Sequence, residues 1–147
     1  MDGLRIEPVA GERMTLDWQH VHNAIIPTAP LTLDEVRERT GRNHLEVAYL
    51  GGEVVGCSTV RPPTDEDAAV VIARVLPDYR RRGIGRAMYE RGLEKASEFA
   101  DERPVETVVL ASNEDGLAFA AEHGFVEVER YVLPGDTIPF VSLRLGR

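Results

Sequence analysis

Arg80-Arg81-Arg82-Gly83-Ile84-Gly85-Arg86 follows an apolar run, Ala69 to Leu76, and a turn, Pro77-Asp78-Tyr79, and opens a helical pattern from Ile84 to about Ala100. Three successive arginines before a helix are physically out of place. The helix dipole is positive at that end, so cations are repelled there. The first-turn N–H groups also lack acceptors. An anion held by those N–H groups answers both problems, and a phosphate does so best. The two glycines then let the backbone turn tightly and approach the ligand. A solvated basic turn is the plain alternative.

The spacing excludes two other phosphate loops. A P-loop has Lys-Ser/Thr directly after its last glycine, whereas Arg86-Ala87 follows Gly85. A dinucleotide-binding turn has a third glycine three residues on, where Met88 stands, and lies on the first strand of a βαβ unit. What remains is Arg80-x-x-Gly83-x-Gly85, with Pro77 three residues before the arginine. This pattern resembles the coenzyme A pyrophosphate loop of the GNAT superfamily of acyl-CoA-dependent N-acyltransferases. The match runs almost position by position from Ala73 to Ala87.

Composition sets bounds on the rest. A chain of 147 residues with 43% hydrophobic content forms one domain with a real core, so residues 1–147 are expected to be a single domain. Seventeen basic against 25 acidic residues give a net charge of −8. That argues against general nucleic-acid binding, and it makes the arginine cluster a local exception suited to an anionic cofactor. No apolar run is long enough for a membrane span, and the acidic start Met1-Asp2-Gly3 does not read as a signal peptide. Cys57 is the only cysteine, which excludes an internal disulfide and a cysteine-rich zinc site. A cytoplasmic location and no metal are the expectations.

Along the chain, the order reads β-α-α-β-β-β-α-β-α-β-β. Leu4 to Val9 is a short strand. Met14, Trp18, Val21 and Ile25 mark one face of a helix from about Glu12 to Ile26, broken by Pro27 and Pro30. Thr32 caps a second helix with Asp34 and Glu35 in its first turn. Leu45 to Leu50 and Glu53 to Val60 flank the hairpin signal Gly51-Gly52. Ala69 to Leu76 reads as a central strand with Arg74 as its one charge, and Val105 to Ala111 as another. The helix between them is expected to send Ile84, Met88, Ala96 and Phe99 to the core. Ser112-Asn113-Glu114-Asp115 starts a helix that Gly124 ends. Phe125 to Leu133 and Ile138 to Leu145 close the chain as a hairpin around Pro134-Gly135-Asp136.

The resemblance covers essentially the whole chain and implies a mixed α/β fold. Its central sheet of about seven strands would be mostly antiparallel, flanked by four helices and splayed at the cofactor site between the strands ending at Leu76 and Ala111. It implies acetyl-CoA as co-substrate and a primary amine as acceptor. The backbone of Ala73, Arg74 and Val75 would pair with the pantetheine arm, and the same strand would offer an N–H to the thioester oxygen. The backbone from Arg81 through Arg82, Gly83, Ile84 and Gly85 to Arg86 would wrap the pyrophosphate, behind Arg80. Asn113, whose plain role is an N-cap, would also touch the cofactor arm. The stretch from Asn113 through Phe119 to Gly124-Phe125 matches a second family signature. Many relatives dimerise, so a homodimer is expected.

The chain departs from the family at its acid–base positions. Seven residues after the Asn, where many members carry a Tyr that protonates the leaving thiolate, stands Ala120. The strand position of a Glu base is Val108, and the start of the central strand is Ala69. No catalytic acid or base is therefore assigned. His22, one turn after Trp18, and Tyr131, on the late hairpin, are weak substrate-contact candidates; a surface or packing role is the ordinary alternative for each. His20 and His22 do not share a helix face and make a poor metal pair. Glu66 and Asp67 either act through water or are loop charges. Cys57 reads as core, since the family transfers its acyl group directly. Two rival classes are a non-catalytic acyl-CoA-binding sensor, favoured by the empty acid–base positions, and an interaction protein that has lost the cofactor, disfavoured by the intact arginine loop.

Overall fold

A computed structural model describes residues 3–99 and 104–146. The elements follow in the order β1 (Leu4–Pro8), α1 (Gly11–Ile25), α2 (Leu33–Thr40), β2 (His44–Leu50), β3 (Glu53–Arg61), β4 (Ala69–Val75), α3 (Ile84–Ser97), β5 (Val105–Leu110), α4 (Glu114–Glu122), β6 (Phe125–Tyr131) and β7 (Phe140–Leu145). A short 3-10 turn, Pro77–Tyr79, joins β4 to the arginine loop. The expected order of strands and helices is the observed one.

The seven strands form one sheet in the order β1-β2-β3-β4-β5-β7-β6. Every neighbouring pair is antiparallel except β4 with β5. These two parallel strands meet only at Ala69–Val105 and Val70–Glu106, then part. The expected splay between the central strands is present.

Alternation along β3 and β4 sorts side chains to two faces. Cys57 lies under α1 with Trp18, Val21, Ile25 and Val47 in the first core cluster. Val60, Val71, Tyr89 and Ala96 form a second cluster on the α3 face. Trp18 is fully buried and its indole N–H donates to the Ser58 carbonyl at 3.0 Å, fixing α1 to the middle of β3. Thr32 and Glu35 complete a reciprocal capping box at the start of α2. Gly51 and Gly52 both have positive φ, 60° and 90°, as the tight hairpin requires.

Gly92 is where α3 comes down onto β4. A Cβ there would lie 2.4 Å from Val71 Cγ1. Gly92→Ala is therefore expected to push α3 off the sheet, lowering stability by about 1–3 kcal/mol in urea denaturation.

The structure corrects several expectations. Phe99 is 42% exposed, because α3 ends at Ser97 and the helical period no longer aims later residues inward; Ala100, the expected helix end, lies outside the described residues. The closing hairpin is shorter than expected: β6 stops at Tyr131 and β7 begins at Phe140, leaving Val132 and Leu133 exposed. His22 is not a helix-surface residue. It is 5% exposed and stacks on Trp18, with ring centroids 5.3 Å apart.

Candidate functional site: a cleft through the sheet

The parting of β4 and β5 opens a cavity of about 500 Å³, a size suited to a small-molecule ligand. Ladder geometry decides which main-chain groups face it. Leu76 N–H donates to the Val55 carbonyl at 2.9 Å, so Leu76, Arg74 and Ile72 point their peptide groups toward β3. Ala73 and Val75 point theirs into the gap. On the other side, Ala111 N–H donates to the Pro139 carbonyl, which turns the peptide groups of Val108 and Leu110 toward the opening. The Leu110 carbonyl is taken by Asn113 N–H at 2.8 Å.

The cavity runs into the start of α3. Gly83 stands at its N-cap with φ 84°, and no side chain caps the first turn. Ala87 N–H reaches the Gly83 carbonyl, which leaves the N–H groups of residues 83–86 without intrahelical acceptors. There is no acidic residue in that turn. Arg81, beside it, is the non-glycine residue with positive φ among the described residues, at 65°. Such a conformation is strained and persists where the surroundings enforce it.

The nominated residues divide into three groups. Ala73, Val75, Arg81, Gly83, Gly85, Arg86 and Asn113 line the cavity. Arg74 lines it too, but through its side chain, since its peptide groups belong to β3. Arg80 lines it while its guanidinium is engaged, Nε donating to the Val75 carbonyl at 2.8 Å and Nη1 to Asp115 at 3.0 Å. Arg80 thus braces the end of β4 against α4. Arg82 lies over the Tyr79 ring and Ile84 is buried in the core, both off the lining. The Asn113 side chain accepts from Gly116 N–H at 3.0 Å, so its capping role is realised at the edge of the cleft.

Neither weak substrate candidate lines the cavity. His22 Nδ1 bonds Asn23 Oδ1 at 3.0 Å, and Asn23 in turn bonds both the N–H and the carbonyl of Leu31. Burial, with Arg74 and Arg39 nearby, holds the His22 imidazole down to about 4, against the opposing pull of Asn23. Tyr131 stacks on Phe140 and is half-exposed. Burial raises its phenol above the ordinary value, with Arg61 and Arg74 opposing. Burial pushes the Cys57 thiol up to about 12, which makes it no nucleophile. Glu66 and Asp67 are exposed, with their N–H groups on Thr64 Oγ1.

Sequence reasoning missed the α3–α4 wall of the cleft, where Tyr89, Phe119, His123 and Phe125 interlock. His123 Nδ1–H donates to the Phe119 carbonyl at 2.8 Å. Asp115 was legible only as a helix-start acid. Among the described residues, no group of three or more His, Cys, Asp or Glu is placed to hold a metal. Among the described residues no helix is long and apolar enough to cross a membrane.

Comparison with known proteins settles the family. The model of the acetyltransferase (GNAT) family matches residues 12–125. The chain belongs to the GNAT acetyltransferase family. No curated protein sequence matches it. Solved GNAT-type folds superpose over nearly its whole length. Arabidopsis thaliana Naa50, in complex with the bisubstrate analogue CoA-Ac-MVNAL, shares 17% identity and covers 99% of each chain at a TM-score of 0.77. The ribosomal-protein-S18-alanine N-acetyltransferase of Escherichia coli shares 19%, covering 97% of this chain and 92% of its own, at 0.73. Arabidopsis thaliana NAA60, in complex with acetyl-CoA, shares 16%, covering 96% and 97%, at 0.75. At these identities the likeness is one of fold.

Proposed function

We propose that this GNAT protein transfers an acetyl group from acetyl-CoA to a primary amine. One observation carries the reading: the strand-like gap beside Ala73 and Val75 runs directly into the uncapped, arginine-flanked start of α3. A ligand with an extended amide arm and a diphosphate fits both ends. Complexes of the similar folds with acetyl-CoA and with a CoA–peptide conjugate support it.

The chain's own groups divide the labour. Ala73 offers its peptide N–H and C=O groups and Val75 its N–H to the pantetheine arm, the Val75 carbonyl being held by Arg80, and a β4 N–H facing the gap steadies the negative charge on the thioester oxygen. The N–H groups of residues 83–86 receive the diphosphate, with Arg81 and Arg86 beside them. Acetyl-CoA supplies the activated acyl group. The amine nitrogen bonds to the carbonyl carbon, the carbon–sulfur bond breaks, the thiolate leaves and the ammonium proton passes to water. Catalysis is by positioning and fixed dipoles.

Val108 and Ala120 provide neither base nor acid, so the amine must arrive neutral. A peptide α-amine, with a pKa of about 7.7–8.0, does so far more often than a lysine side chain at about 10.4. A thiolate, from a thiol of about 8.5, leaves without an acid. The test is calorimetric titration with acetyl-CoA followed by CoA-release assays on peptide α-amines, aromatic amines and Nα-blocked lysine. Binding with turnover of the first two classes is expected; turnover on lysine alone would sink the preference. The same empty positions favour a second reading, a non-catalytic acyl-CoA sensor. Binding without turnover across that panel would select it. We further take residues 1–147 as one cytoplasmic domain that pairs as a homodimer.

A further inference from the structure

Among the described residues, the arginines with no ion pair and no side-chain hydrogen bond fall into two groups. Arg81, Arg82 and Arg86 surround the start of α3, where a diphosphate is expected. Arg39, Arg61 and Arg74 stand on the opposite face of the sheet, with no ligand assigned to them.

The register places this second group. Arg74 lies directly opposite Cys57, and Arg61 opposite Val70. Directly opposed residues share a face, and Cys57 belongs to the cluster under α1. Arg61, four residues along β3 from Cys57, is therefore on that face as well. The two arginines are ~13 Å apart along the strands. Arg39 comes down in the last turn of α2. Arg39 feels both of the others: burial, Arg42 and Arg61 depress it against the pull of Glu35 and Glu38, and Arg74 is depressed by burial and by Arg39 against Cys57 and Tyr131. Arg61 Nε is buried without a partner. Arg74 reaches the cleft on the side lined by Ile26, Ile72 and Val108.

Leaving such a cluster without a bonded counter-ion is costly, since half-buried cations repel and lose hydration. The shortage is not one of acids, because acidic residues outnumber basic ones 25 to 17. Glu35 and Glu38 attract Arg39 without bonding it, since their hydrogen bonds go to the α2 capping box and to Arg42, and those of Glu106 go to Arg144. None of the three guanidinium groups is paired with a carboxylate among the described residues.

We infer that the acceptor amine carries an oxyanion, a carboxylate in the first instance, which Arg39, Arg61 and Arg74 receive while the amine enters the cleft beside Ala73 and Val75. The inference rests on the acetyl-transfer reading for the amine, and on the arginine cluster alone for the anion. Guanidinium groups suit it, because their paired N–H donors match a carboxylate.

The test titrates matched probes into the CoA-saturated protein at constant ionic strength: L-glutamate against L-glutamine, and L-phenylalanine against L-phenylalaninamide. At least one pair is expected to show a preference of about tenfold or more for the anionic member. The pair that discriminates tells whether the anion is next to the amine or further along. Arg61→Gln and Arg74→Gln are expected to erase that preference, and Arg74→Lys to keep part of it. Should Arg74→Gln fail to fold, Arg61→Gln and Arg39→Gln on the rim carry the test. No discrimination in either pair, or no binding of any probe, overturns the inference. Turnover of amines without discrimination would overturn it while leaving acetyl transfer standing. Discriminating binding without turnover would uphold the anion site and overturn acetyl transfer.

Discussion

Gly83→Pro is expected to weaken acetyl-CoA binding by about a hundredfold or more, ~2.7 kcal/mol, with the fold retained. Gly83 has φ 84°, whereas proline is locked near −65°. The loop would have to swing, and one of the N–H groups proposed to receive the diphosphate would vanish. Proline also pushes Arg82 into an extended conformation. The fold survives because the change lies at the N-cap, where helix α3 needs no N–H donor. Gly83→Ala separates the two effects. A Cβ there meets nothing within 4 Å, so alanine suffers only the left-handed backbone, a cost of roughly 1–2 kcal/mol. Calorimetry on the three proteins should rank them glycine, alanine, proline. A proline variant that binds as well as the parent, with an unchanged circular dichroism spectrum, would remove the diphosphate from this loop.

The second large effect is an acid lability seated at His22. Its imidazole is held at about 4 in the folded chain against an ordinary 6.5, chiefly by burial and then by Arg74. Between those two values the unfolded chain binds the extra proton and the folded chain does not. Stability therefore falls as pH falls through this window, by about 3 kcal/mol for a shift of this size. His22→Phe keeps a ring over Trp18 and removes the titration. Other groups add to acid loss in both proteins: Glu46, for instance, is opposed by its own burial but held below its ordinary value by Arg91 and His44. The readout is thus the difference between parent and variant in urea denaturation from pH 7 to 4. The parent should lose about 3 kcal/mol more. Equal losses would mean that His22 protonates freely in the fold. The consequence reaches the cleft, because Asn23 links His22 to Leu31 and Ile26 lies on the cavity wall.

Much of this was legible in the chain, for identifiable reasons. Strong local signals held: the Gly51-Gly52 turn, the Thr32 cap, the Asn113 cap and the strand-turn-helix succession over Ala73 to Ala87. Failures came where local pattern stopped governing. Phe99 keeps the period of Ala96, but the helix ends between them. His22 stands one turn from Trp18, so its proximity to the core face was visible; its burial depended on the loop folding back through Asn23. The brace from Arg80 to Val75 and Asp115 joins residues 35 apart in sequence, and no spacing rule points to it. Arg39, Arg61 and Arg74 come from three elements and gather only in the fold. The splay leaves no local trace in Ala69 to Leu76 or Val105 to Ala111, which read simply as strands; it was expected through the family resemblance alone.

That splay has a consequence for the protein without a ligand. A sheet ordinarily has two edges, and here they are β1 and β6. The separation of β4 from β5 creates a third, in the middle, where the peptide groups of Ala73 and Val75 face no strand. An unpaired strand edge is a template for another chain. Whatever lies in the gap therefore also guards the protein against self-association, and the empty chain is the form most prone to aggregate.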